Sequence, residues 1–211
     1  MNTANQGAHR PHQLSRIDTD LHARSLSGPA RAEQPANDRP RTIGRVGIIG
    51  ANNVGIGISK ALLEADIPVT MFDQRDALDR GLALLRAACT QADHKRDRCL
   101  ALFSATPRFH HLKDADLILE VMPAETEAKE RFFRWLDEIG KPDAILVTHA
   151  SGARLDRIAR LTRRPADVLG LDFSHPDDSD EPVKLVCGRE TSGDTSATVL
   201  ALLGRIGKLG S

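Results

Sequence analysis

A chain of 211 residues with 40% hydrophobic and 27% charged residues has the length and composition of one globular domain with a core of its own. Its formal net charge is +0 and its aromatic content 3%, with no tyrosine, so it has neither the basic excess nor the stacking platforms of a nucleic-acid partner. No apolar run approaches the ~20 residues of a membrane span, and three cysteines without a Cys-x-x-Cys exclude a disulfide framework and a zinc or other metal site, which points to ordinary thiols in a reducing, cytoplasmic compartment.

Residues 1–43 are polar, carry Pro11, Pro29, Pro35 and Pro40, and show no apolar periodicity. Such a segment buries too little surface to offset its ordering entropy, so a disordered tail is expected there and one domain over 44–211. The domain opens with VGIIG, a β-branched run ending in Gly50, as a buried parallel strand does. VGIGISKALLEAD reads as a helix with Ile56, Ile58, Leu62 and Leu63 near one face, and IPVTMFD as the next strand. Residues 75–92 have helical spacing, and a short helix is expected from Asp97 to Phe103. DADLILEVMP is a buried strand; ETEAKERFFRWLDEIG is an amphipathic helix stopped by Gly140. DAILVTHAS, ADVLGLDF and PVKLVCG are further strands, with ARLDRIARLT a helix after the first of them. TSATVLALLGRIG is the last helix, capped by Thr191 or Ser192. Alternating strand and helix give an α/β fold: a Rossmann-type, doubly wound, mostly parallel sheet.

The first strand runs into Gly50-Ala51-Asn52-Asn53-Val54-Gly55 and then a helix. Gly50 suits the tight turn, Gly55 suits close helix–strand packing, and the helix N-terminus suits a pyrophosphate. Asp73 ends the second strand at roughly the ~20-residue separation expected of a ribose ligand, which favours NAD over NADP. The middle glycine of the G-x-G-x-x-G pattern is Asn52 here. Asn tolerates left-handed backbone better than most residues, but its side chain is expected near the phosphates and is expected to weaken binding.

These segments, with RPADVLGLDFSHP and VKLVCGRETS, resemble the NAD-binding domain of the 3-hydroxyacyl-CoA dehydrogenases over roughly Arg45 to Lys208. The resemblance implies NAD-dependent oxidation of a 3-hydroxyacyl-CoA, in which a histidine takes the hydroxyl proton and a glutamate orients it. It places a substrate-oxygen serine at Ser151 and a lysine approaching the cofactor at Lys129. The family's neighbouring glutamate falls on Ala124, with Glu125 one place on. The family's GLHFFNP aligns with GLDFSHP, so the histidine position is Asp172 and the asparagine position His175. The paired glutamate is Lys184, twelve residues later. The resemblance also implies a helical domain that closes the cleft and makes a dimer, which is expected to be absent from a chain stopping at Ser211.

Asp172 is a poor replacement base, since an unperturbed Asp has a pKa near ~3.9. His175 is the outside substitute, and His149 sits on an adjacent strand end. Two readings stand at this point. One is a stand-alone NAD-binding domain that is catalytically impaired. The other is an active dehydrogenase of fatty-acid metabolism, taking acyl-CoA and working with a separate helical domain. Asp172 and Lys184 are expected to form a charge-swapped pair within ~4 Å. An exposed apolar strip around Val199, Leu202 and Leu203 is expected to mark self-association or a helical partner.

Overall fold

A computed structural model describes residues 39–89, 93–122, 126–149, 152–173 and 183–209. The strands are β1 (Val46–Ile49), β2 (Val69–Phe72), β3 (Phe103–Thr106), β4 (Leu117–Glu120), β5 (Ile145–Thr148), β6 (Val168–Phe173) and β7 (Val183–Cys187). The helices are α1 (Asn53–Glu64), α2 (Arg75–Ala88), α3 (Asp93–Ala101), α4 (Thr126–Ile139), α5 (Gly152–Ala159) and α6 (Gly193–Arg205). One seven-stranded sheet has the order β3-β2-β1-β4-β5-β6-β7. Among the described residues every pairing in the sheet is parallel except β6 with β7. This is the doubly wound architecture that the alternating sequence pattern implies.

The central strands are apolar on both faces because helices cover both. Period-two alternation sorts their side chains. Ile48, Met71, Leu119 and Val147 join α1, α2 and α6 in one core, whereas Ile49, Ile118 and Leu146 join Phe133, Leu136, Leu155 and Ile158 of α4 and α5 in the other.

β3 went unforeseen. The sequence through Phe103 reads as a helix, but α3 stops at Ala101 and FSAT pairs in register with β2 at the sheet edge. Ser104 and Ala105 are exposed there, so the run lacks the apolar signature of its buried neighbours. Arg41, within the stretch expected to lie outside the fold, is held firmly. Its N–H donates to Thr198 Oγ1 at 2.8 Å, and its guanidinium reaches Asp167 at 2.8 Å and the Asp143 carbonyl at 2.9 Å. Of the tail expected over residues 1–43, residues 1–38 lie outside the described residues.

The expected apolar strip on α6 is also corrected. Val199 and Leu203 are 1% and 4% exposed and belong to the core, while Leu202 is partly buried against it. The last helix docks this face on the sheet beside α1, so it offers no exposed apolar strip there. No helix among the described residues is long and apolar enough to cross a membrane.

Candidate functional site

Parallel pairing brings the carboxyl ends of β1, β2, β4, β5 and β6 to one edge of the sheet, with the order reversing between β1 and β4. Ligands of open α/β sheets bind in that crevice. Gly50 leaves β1 at φ +117°, a conformation that favours glycine. A Cβ on Gly55 would stand 2.0 Å from the Gly50 carbonyl oxygen, so α1 packs against the turn only because residue 55 has no side chain. Both glycine roles read from the sequence hold.

Asn52 behaves differently from expectation. Its backbone is extended, φ −90° and ψ 179°, so no left-handed tolerance is called upon. It is the N-cap of α1: Oδ1 accepts from Gly55 N–H at 3.0 Å, and Nδ2 donates to the Val121 carbonyl at 2.7 Å. The side chain is folded onto the protein, joining the start of α1 to the end of β4. The Asn53 and Val54 N–H groups sit at the first two helical positions, where no intrahelical acceptor exists. They face the direction in which a helix receives an anion. Asp73 follows β2; its Oδ2 accepts from Ala51 N–H at 2.8 Å and its Oδ1 from Gln74 N–H at 2.7 Å. The carboxylate is thereby fixed against the glycine turn and keeps lone pairs for further donors. A tight turn without a side chain at residue 55, two N–H groups without intrahelical acceptors and a fixed carboxylate at the next strand end together fit a dinucleotide.

Sequence reasoning missed Glu120, the last residue of β4. Its carboxylate is fully buried and accepts from Thr148 Oγ1 at 2.8 Å and from Met122 N–H at 2.7 Å. Lys129 of α4 stands 3.0 Å from it and donates to the His149 carbonyl at 3.1 Å. The cofactor lysine expected at position 129 is thus turned inward, tying α4 to the ends of β4 and β5. The available signal was a glutamate closing LILE, a strand otherwise wholly apolar.

Asp172 and Lys184 are direct cross-strand partners in the antiparallel β6–β7 register, as the sequence spacing implied. They do not form the expected ion pair; both side chains are exposed, and solvation outweighs a weak surface attraction. The carboxylate approaches a different group: His149 Nε2 lies 4.0 Å from Asp172 Oδ1. Burial and the Lys129 ammonium hold the His149 imidazole below its ordinary pKa, against the pull of Asp172 and Glu120. Ser151, His175, Ala124 and Glu125 lie outside the described residues.

A family model described as 3-hydroxyacyl-CoA dehydrogenase, NAD binding domain, matches residues 45–210. The 3-hydroxybutyryl-CoA dehydrogenase of Clostridioides difficile is 31% identical over 173 residues, covering 78% of this chain and 62% of that protein. The peroxisomal bifunctional enzyme of Danio rerio is 29% identical over 177 residues, 82% of this chain and 24% of that protein. The crystal structure of (S)-3-hydroxybutyryl-CoA dehydrogenase from Ralstonia eutropha superposes with a TM-score of 0.74 at 26% identity, over 80% of this chain and 62% of that one. The chain thus spans less than two thirds of the length of these relatives. The family match begins one residue before β1 and reaches past Leu209, so it takes in the β6–β7 pair as well as the glycine turn, beyond what a bare dinucleotide fold shares. This chain belongs to the 3-hydroxyacyl-CoA dehydrogenase NAD-binding domain family, and NAD is its cofactor.

Proposed function

We propose that this chain binds NAD in the cradle formed by Gly50, Asn53, Val54, Gly55 and Asp73, and that its oxidation of 3-hydroxyacyl-CoA is impaired because neither member of the family's proton-transfer pair stands at its own position. The observation that carries the reading is the pairing of Asp172 with Lys184 in β6–β7, at the positions of the family histidine and glutamate. Bound NAD supplies the hydride acceptor. The protein must supply a base near neutrality for the hydroxyl proton, which a solvent-exposed carboxylate does not provide. Acyl-CoA thioesters are the substrate class, since the relatives named above act on 3-hydroxybutyryl-CoA by their names. Asp73, held against the glycine turn, accepts the ribose hydroxyls and disfavours a 2′-phosphate.

Calorimetric titration with NAD and NADP, followed by a turnover assay on 3-hydroxybutyryl-CoA, tests both halves. Binding of NAD in preference to NADP is expected, with turnover ~100-fold or more below that of the Clostridioides difficile dehydrogenase assayed alongside, the range a general base contributes. Turnover comparable to that enzyme would overturn the impairment; no NAD binding would overturn the cradle.

A further inference from the structure

Asp172 stands where the family has its histidine, yet an imidazole lies beside it on the neighbouring strand. His149 follows the last residue of β5, and its Nε2 is 4.0 Å from Asp172 Oδ1, at the outer limit of an ion pair. The Phe173 ring meets the imidazole edge-on, with centroids 5.3 Å apart and planes at 78°. The His149 backbone is pinned at both polar groups: its N–H donates to the Glu120 carbonyl at 3.1 Å, and its carbonyl accepts from Lys129 at 3.1 Å. The charged groups acting on the ring are Lys129 from α4, Glu120 from β4 and Asp172 from β6, with Lys184 of β7 across the strand pair from Asp172. Burial and Lys129 together favour the neutral imidazole, which is the form able to accept a proton.

We propose that His149, oriented by Asp172, is the proton acceptor for the oxidation of a hydroxyl substrate in this domain. The family's imidazole–carboxylate pair then persists with its members moved, the imidazole to the end of β5 and the carboxylate to β6. This rests on the NAD-dependent reading above and names the residue through which the remaining oxidation runs. The step balances. The substrate O–H bond breaks and its proton passes to His149 Nδ1, since Nε2 faces Asp172. Oxidised NAD, held by the glycine turn and Asp73, would supply the acceptor for the hydride that leaves the carbinol carbon as the C=O bond forms. The imidazolium then returns its proton to water. Asp172 serves as counter-ion to that imidazolium, a role in which its low basicity is no handicap.

The test uses the full chain and three readouts. Histidine NMR titration of the wild type and Asp172→Asn measures the pair directly; removing the carboxylate is expected to lower the His149 pKa. Calorimetry follows NAD affinity in the wild type and His149→Gln, which is expected to be unchanged. NADH formation from 3-hydroxybutyryl-CoA is expected to rise with pH through the measured His149 pKa and to fall ~100-fold in His149→Gln. An unshifted His149 pKa in Asp172→Asn overturns the pair. Bound NAD with no oxidation, or with oxidation that His149→Gln retains, overturns the base while leaving the NAD reading intact. Absence of NAD binding overturns that reading and this step with it.

Discussion

The Glu120 carboxylate and the Lys129 ammonium stand 3.0 Å apart, 1% and 7% exposed, beneath the carboxyl ends of β4 and β5. Among the described residues their hydrogen bonds serve that sheet edge: Thr148, Met122 and the His149 carbonyl. Removing one partner strands a buried charge, so Lys129→Met is expected to cost ~3–5 kcal/mol in urea denaturation. Replacing both, Glu120→Leu with Lys129→Met, is expected to cost less than the single change, because no unpaired charge remains. Additive losses in the double-mutant cycle would show that the pair is uncoupled.

The glycine turn gives a sharper expectation. Gly55→Ala would place a methyl group 2.0 Å from the Gly50 carbonyl oxygen, a backbone atom that cannot swing aside. Helix α1 must then move off the turn. Both thermal stability and NAD affinity are expected to fall, the stability by ~1–3 kcal/mol as overpacked sites do. Wild-type calorimetric binding by Gly55→Ala would mean that α1 does not cradle the cofactor.

Asn52 reads as a steric obstacle in the sequence and is a tether in the structure. Asn52→Ala loses the cap on Gly55 N–H and the bond to the Val121 carbonyl, and is expected to destabilise by ~1–2 kcal/mol. Asn52→Gly loses the same Val121 bond but suffers only a few tenths of a kcal/mol from the cap itself, so it is expected to fall between the two. A chemical denaturation series on the three proteins checks the order. Equal stability throughout would sink the capping account.

Acid sensitivity divides into two windows. His149 titrates below its ordinary value of 6.5 in the folded chain, owing first to burial and then to Lys129. The unfolded chain therefore takes up that proton first, and stability is expected to fall as pH drops through about 6.5. His149→Gln is expected to remove this step. Burial raises Asp116 and Asp137, but hydrogen bonds outweigh it: from Lys141 and the Gly44 and Arg45 N–H groups for the first, from Arg163 and Arg164 for the second. Both carboxyls are held below their ordinary 3.8, so their contribution is complete above that value and is lost at lower pH still. Stability curves of the wild type and His149→Gln that coincide between pH 7 and 5 would contradict the first window.

The contrast between what was legible and what was not has a physical pattern. Gly50, Gly55 and Asp73 were readable because a turn, a close approach and a strand end are local demands on single residues. The partner of Asp172 is legible only in part: the sequence puts His149 on an adjacent strand end, but the cross-strand spacing points to Lys184, and the approach to His149 shows only once β5 and β6 lie side by side. The inward course of Lys129 is hidden for a related reason: it depends on Glu120, nine positions earlier in the sequence but 3.0 Å away in space. β3 escaped because an edge strand with two exposed residues carries no burial signal.

The Asp172–Lys184 register offers the last expectation. The two residues lie directly opposite on antiparallel strands, where side chains interact by ~0.2–1 kcal/mol and like charges destabilise. Lys184→Glu sets two carboxylates face to face, and Asp172→His sets an imidazole against an ammonium. Each single change is expected to lower stability slightly. The double change, Asp172→His with Lys184→Glu, restores opposite charges whenever the imidazole is protonated, so its loss is expected to be smaller than the sum. It also rebuilds the family's histidine and glutamate at their own register while removing the carboxylate beside His149. Oxidation of 3-hydroxybutyryl-CoA is therefore expected to rise above that of either single variant and to become insensitive to His149→Gln. A double variant no more active than Asp172→His alone would mean that register does not suffice to rebuild the pair.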